Sequence, residues 1–157
     1  MLLTELLSRE RAAVRHNKGG NELDKAEALH VLAELLSHGT AIPRETIEQV
    51  LVEREALQST GIGEGVAIPH GALGDLDKQV AAVLTVPEGL EFHAIDDAKV
   101  NILFAVISPK RSSGEHLKTL ARVSRVLRSR GFRERLLSAG DGSEVFTLLC
   151  SEEEVSK

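Results

Sequence analysis

Two stretches decide the fold: Val80-Ala81-Ala82-Val83-Leu84-Thr85-Val86 and Val100-Asn101-Ile102-Leu103-Phe104-Ala105-Val106-Ile107. Both are rich in β-branched residues and almost continuously apolar. A strand with one face in water alternates apolar and polar side chains; a strand covered on both faces has no such need. The two runs are therefore predicted to be central strands with helices packed on either side. Between them, Pro87-Glu88-Gly89 reads as a turn, followed by a polar connection through Asp96 and Asp97.

The flanking segments read as helices. Asp24 with Glu27 forms a capping box, and Leu29, Leu32, Ala33 and Leu36 follow at helical spacing, which predicts a helix over residues 25–37. Pro43 opens a second helix, ending near Leu57, with Ile47, Val50, Leu51 and Ala56 or Leu57 as its buried stripe. From Ser59 to Gly71 the periodicity breaks, and alternate glycines Gly61, Gly63 and Gly65 predict a loop leading into a short extended piece. Beyond the second strand, Ser112 with Glu115 reads as another capping box, placing Leu117, Leu120, Ala121, Ser124 and Leu127 on one side of a helix stopped by Gly131. Short helices are expected around residues 133–138 and, after Asp141 with Glu144, over 145–150. The class is α/β: a mixed β-sheet covered by helices on both faces, in one domain spanning residues 1–157. Strand order does not follow from these patterns.

Composition narrows the function. The 157 residues hold 19 Lys and Arg against 24 Asp and Glu, a net charge of −5. With four Phe and neither Trp nor Tyr, the chain lacks the aromatic platform on which single-stranded nucleic acids stack, so no nucleic-acid partner is expected. From Lys110 to Arg135, nine basic residues stand against Glu115 and Glu134. This reads as a solvated helix face or a surface for an acidic protein. Cys150 is the only cysteine, which excludes an intramolecular disulfide and fits a reducing cytoplasm. No apolar run approaches the ~20 residues that span a bilayer, so no membrane insertion is expected. Met1 to Arg15 has the wrong layout for a signal peptide, so the visible start is expected to be the mature start. No metal is expected, since HExxH, paired cysteines and close His-x-His spacing are all missing. The glycine spacing is G-x-G-x-G, after a helix and before an extended piece, and no Gly-Lys-Ser or Gly-Lys-Thr occurs, so neither a dinucleotide loop nor a P-loop is present. No cofactor is expected.

Among six histidines, His16, His30, His38 and His93 need no function. His70 differs: Pro69 pushes Ile68 toward an extended conformation, and Gly71 permits close approach to the backbone. A neutral imidazole held in an open place offers one ring nitrogen as a nucleophile while the other donates a hydrogen bond. Local context leaves a plain turn histidine equally open. His116, in the first turn of its helix, reads either as a partly buried structural histidine or as a donor beside a phosphate at a helix N-terminus. Arg54 alone reads as a surface arginine, though its guanidinium has the geometry to pair phosphate oxygens.

Taken together, Arg54-Glu55-Ala56-Leu57, Ser59-Thr60-Gly61-Ile62-Gly63 through Ala67-Ile68-Pro69-His70-Gly71, and Gly114-Glu115-His116-Leu117 resemble the fructose/mannitol-type enzyme IIA domain of the bacterial phosphotransferase system. The resemblance runs from about Asp24 to Cys150, taking in the Phe92 to Ala98 connection and Phe132-Arg133-Glu134-Arg135-Leu136, and is strongest for its free-standing, nitrogen-regulatory branch. It implies that His70 is transiently phosphorylated by an HPr-like phosphocarrier, with Arg54 and His116 as supporting active-site positions and Thr60, Gly61, Gly63 and Gly65 in the adjoining loop. It further implies a regulatory target protein or, in a detached sugar-specific IIA, a IIB transporter component; a module that binds partners without being phosphorylated is the remaining reading. Two departures stand out: Glu64 where the family more often has asparagine, and Asp97 where a glycine commonly follows Asp96.

Overall fold

A computed structural model of the chain describes residues 2–19 and 22–155. The strands are β1 (Ala12–Val14), β2 (Gly61–Gly63), β3 (Val66–Ala67), β4 (His70–Leu73), β5 (Val80–Leu90) and β6 (Val100–Pro109). The helices are α1 (Lys25–Ser37), α2 (Arg44–Leu57), α3 (Ser113–Val126), α4 (Arg130–Ser138) and α5 (Gly142–Val155).

The long apolar runs form the centre of one mixed sheet, ordered β1-β5-β6-β3-β2, with β4 also on β6. β5 and β6 pair antiparallel, while β1 lies parallel to β5 and β3 and β4 lie parallel to β6. Their side chains divide between two cores. Ala82, Leu84 and Val86 of β5 and Leu103, Ala105 and Ile107 of β6 face α1 and α2, packing with Leu32, Leu36, Ile47 and Leu51. Ala81 and Val83, with Ile102, Phe104 and Val106, face the opposite side, against Val123, Phe132, Leu136, Val145 and Leu149 of α3, α4 and α5. Each large apolar side chain fully buried this way contributes about 1.5–3 kcal/mol, and a strand feeding two cores shows no polar alternation for that reason.

The helix over 25–37 forms as expected, its Asp24 carboxylate accepting from the Glu27 N–H at 2.8 Å, a cap of about 1 kcal/mol. Several local expectations are corrected. Pro87-Glu88-Gly89 is no turn between strands; β5 runs through it, with its register against β6 shifting between Thr85 and Leu90, since a bulge accommodates proline where regular pairing does not. On α2 the buried stripe continues from Leu51 to Glu55, and Leu57 is exposed. Ser112 precedes α3 without a side-chain cap, and the buried residues there are Thr119, Val123 and Val126, while Leu117 is exposed. α3 ends at Val126, and Gly131 lies inside α4. Residues 59–71 hold the β2–β3 hairpin as well as the start of β4, and β1 carried no signal at all.

The site is set by a break in one line of chain. β3 pairs with Ile102 and Leu103, and β4 resumes on the same strand at Val106. Between them Pro69 supplies only its carbonyl, which accepts from the Val106 N–H at 3.0 Å. His70 is the first residue after this break.

Candidate functional site

His70, Arg54 and His116 are far apart in sequence, and the fold brings them to one surface. α2 lies across β4 so closely that a Cβ at Gly71 would stand 2.2 Å from Val50 Cγ1, which explains the glycine next to His70 and brings the end of α2, with Arg54, beside the imidazole. α3 follows β6 and carries His116 to the other flank; the two rings are 5.3 Å apart between centroids, tilted by 53°.

The hydrogen bonds fix His70 chemically. Its Nδ1 is 2.7 Å from the Ile68 carbonyl, which can only accept, so Nδ1 carries the proton and Nε2 keeps its lone pair. Burial pushes the His70 pKa below the ordinary 6.5; the Ile68 hydrogen bond opposes this, and Arg54 adds to it more than Glu55 offsets. The ring is therefore neutral near pH 7. His116 also titrates low, through burial first and the neighbouring His70 second, and its Nδ1 is 2.6 Å from Ser108 Oγ.

The loop is anchored from beneath. Buried Glu55 accepts from the Thr60 N–H at 2.9 Å and from the Thr60 hydroxyl at 2.5 Å. Lys25 Nζ balances the carboxylate at 3.0 Å while lying over the Phe92 ring. Thr60 is thus turned into the protein, and the Gly61 N–H is taken by Ser59 Oγ at 3.1 Å. Gly63 and Gly65, with φ of +95° and +78°, shape the hairpin turn. Arg54 lines the same depression as His70, its Nη1 donating to the Gln58 carbonyl at 2.9 Å, and the His116 ring lies beside the imidazole.

Both family departures adopt left-handed backbone, Glu64 at φ +58° and Asp97 at φ +58°. Asparagine and glycine enter that region more readily than most residues, so both positions have the backbone conformation that the residues more common in the family favour. The Glu64 carboxylate reaches Arg133 Nη2 at 3.3 Å. Buried Arg133 also donates to the Leu127 and Arg128 carbonyls at 2.9 and 2.8 Å. Other members of the basic run are engaged too: Arg122 with Glu153, Arg130 with Glu134, Arg135 with Glu152.

His70 and Arg54 line an open depression of about 400 Å³, with Ser59, Thr60 and Gly61 on one side and Leu120, Ala121 and Ser124 on the other. Large apolar side chains stand in water around it: Ile62 (52% exposed) and Ile95 (72%) on its wall, Leu57 (82%) beside Gln58, and Leu117 (67%) after His116. Among the described residues no group of three His, Cys, Asp or Glu side chains is arranged to hold a metal, and no helix is long and apolar enough to cross a membrane.

The family described as phosphoenolpyruvate-dependent sugar phosphotransferase system, EIIA 2, matches residues 14–152. The chain belongs to that family. It is 32% identical over 125 residues to a nitrogen regulatory protein of Bradyrhizobium diazoefficiens, covering 80% of this chain and 82% of that one. A fructose-specific EIIA component of Haloferax volcanii is 34% identical over 116 residues, covering 73% and 75%. Among solved structures, the nitrogen regulatory protein IIA-Ntr of Neisseria meningitidis superimposes with a TM-score of 0.82 at 28% identity, covering 94% of this chain and 98% of that one. The helices on both faces of a mixed sheet are thus the IIA architecture.

Proposed function

We propose that this protein is a phosphocarrier of the phosphotransferase system that accepts a phosphoryl group on His70 Nε2 from an HPr-like protein and serves as a nitrogen-related regulator. The observation that carries the reading is the imidazole held through Nδ1 to the Ile68 carbonyl, leaving Nε2 bare beside an open depression that Arg54 also lines, with the His116 ring 5.3 Å away between centroids.

Transfer is a displacement at phosphorus. The Nε2 lone pair forms the new N–P bond as the donor's bond to phosphorus breaks, and the departing donor atom keeps that electron pair. His70 retains its Nδ1 proton. Arg54 compensates the charge on the phosphoryl oxygens, and charge-assisted hydrogen bonds of this kind contribute about 1.5–3 kcal/mol each. Removing a donor aimed at the transferring group costs roughly 100- to 1000-fold in rate. The shallow depression with its exposed Ile62, Ile95, Leu57 and Leu117 suits a visiting protein that must bring its own phosphoryl-bearing residue to the imidazole. Once phosphorylated, the surface gains negative charge, and a target protein distinguishes the two forms by electrostatics. The regulatory assignment is supported by the similarity to the Bradyrhizobium protein.

The decisive measurement is intact mass after incubation with phosphoenolpyruvate, enzyme I and an HPr-like carrier. An acid-labile gain of one phosphoryl group, lost in His70→Ala, is expected; no gain leaves a partner-binding module, and a gain that survives His70→Ala moves the acceptor elsewhere. The similarity to the Haloferax fructose component favours a second reading, a detached sugar-specific IIA. Passage of labelled phosphoryl from this protein to a fructose or mannitol IIB would establish that role instead.

A further inference from the structure

Behind His116 lies a row of buried polar groups that the phosphoryl acceptor does not touch. Thr119 Oγ1 donates to Gln79 Oε1 at 2.8 Å, Gln79 Nε2 donates to Ser108 Oγ at 2.9 Å, and Ser108 Oγ meets His116 Nδ1 at 2.6 Å. The members come from different places: Gln79 precedes β5, Ser108 is near the end of β6, and Thr119 lies on α3 one turn after His116. All three are buried, Ser108 completely. Polar groups are retained in such surroundings when their hydrogen bonds are satisfied, because each unmade bond costs about 1–3 kcal/mol.

The direction of the row follows from counting hydrogens. Ser108 receives one from the Gln79 amide, so its own hydroxyl hydrogen is satisfied only by pointing at His116 Nδ1. That nitrogen must then be unprotonated. In a neutral ring the single proton sits on Nε2, the opposite arrangement to His70, where the Ile68 carbonyl demands a proton on Nδ1.

We propose that Gln79 and Ser108, steadied by Thr119, are positioning residues that lock His116 in its Nε2–H tautomer, so that it presents a hydrogen-bond donor to the phosphoryl group arriving on His70. This rests on the phosphocarrier reading above. The neighbouring rings then play unlike parts, one offering a lone pair to phosphorus and the other a hydrogen to oxygen. With the reverse tautomer, His116 would turn a lone pair toward the negatively charged oxygens. The low pKa that burial gives His116 makes this choice matter, since a protonated ring would donate from both nitrogens.

Nitrogen-15 NMR of the imidazoles at neutral pH tests the lock in the unmodified protein, with no substitution needed. His116 is expected to show a protonated Nε2 and a bare Nδ1, and His70 the converse. Ser108→Ala is expected to give a mixture of His116 tautomers and to slow phosphoryl acceptance about 10-fold, less than the outright loss of a donor. Gln79→Glu replaces the amide donor with an acceptor, so the Ser108 hydroxyl turns toward it and the His116 proton moves to Nδ1. A wild-type protein that is phosphorylated but carries the His116 proton on Nδ1, or a Ser108→Ala variant with unchanged tautomer and rate, overturns the relay alone. A wild-type protein that takes no phosphoryl group overturns the phosphocarrier reading, and with it any part for the relay in transfer.

Discussion

Val50 and Gly71 meet where α2 crosses β4, at a separation that leaves no room for a side chain: a Cβ on Gly71 would lie 2.2 Å from Val50 Cγ1. The contact sets the distance between the helix that bears Arg54 and the strand that begins with His70. Apolar packing next to the imidazole thus governs whether a guanidinium and that imidazole can serve the same phosphoryl group.

Gly71→Ala is expected to push α2 off β4, destabilising the protein by about 1–3 kcal/mol as overpacking does and slowing phosphorylation by displacing Arg54. Adding Val50→Ala, which removes the opposing methyl groups, should recover most of both losses. Urea denaturation and phosphorylation rates of the single and double variants measure this; a double variant no better than Gly71→Ala would contradict it.

Arg54 contributes to holding the His70 pKa below 6.5, after burial, which is the larger cause. Arg54→Met should therefore raise the His70 pKa toward that of a free imidazole while leaving burial in place. The ring carbon shifts of His70 followed by NMR against pH give the answer, and an unchanged or lower value would exclude the charge coupling.

Both His70 and His116 titrate below 6.5 in the folded chain. Below about pH 6.5 the unfolded state binds more protons than the native state, so stability rises with pH in that range. The stabilisation is complete above the unfolded value and is lost as pH falls through the lowered folded values. Denaturation midpoints at pH 7.5, 6.5 and 5.5 should fall toward acid, and more gently in a His70→Gln, His116→Gln double variant. Parallel curves for the two proteins would refute the assignment.

Thr60→Val keeps the shape of the residue but leaves Glu55 Oε2 without the hydroxyl that it now accepts from at 2.5 Å. A loss of about 1–3 kcal/mol is expected for an acceptor left unsatisfied in a buried place, and the loop before β2 should exchange its amide hydrogens faster. Hydrogen exchange localised elsewhere, or stability within experimental error of wild type, would argue against the anchor.

Glu64→Asn restores the residue common in the family at a left-handed position, φ +58°. Its carboxylate is exposed, so the ion pair with buried Arg133 adds little, as pairs open to solvent do, and Arg133 keeps the Leu127 and Arg128 carbonyls. Stability should be equal or slightly higher and phosphorylation essentially unchanged. A marked gain in phosphorylation rate would instead mean that the carboxylate repels the incoming phosphoryl group.

Much of this molecule is written in local patterns. The spacing of Leu29, Leu32 and Leu36 behind Asp24 is enough for α1, because caps and helical period act within a few residues. The apolar runs of β5 and β6 announce strands buried on both faces. Patterns failed where partners decide: Ala12–Val14 is a strand only because β5 offers it an edge, and Pro87-Glu88-Gly89 stays within β5 because the pairing tolerates a bulge. Leu117 is exposed and Leu120 only partly buried, packed against the core while also lining the depression, since a helix with apolar residues on two sides buries the side its neighbours cover.

For the candidate site the division is similar. The order of residues along the chain determined which groups are available: a histidine between proline and glycine, an arginine ending a helix, a second histidine opening another. Only the tertiary structure decided how they are used. Whether an imidazole nitrogen is bare or protonated depends on a carbonyl two residues away for His70 and, for His116, on Ser108 and on Gln79, the latter more than 30 positions away in the chain. Hydrogen bonds are made by whatever atoms the fold brings within about 3 Å, and that proximity is a property of the packed chain, not of its order.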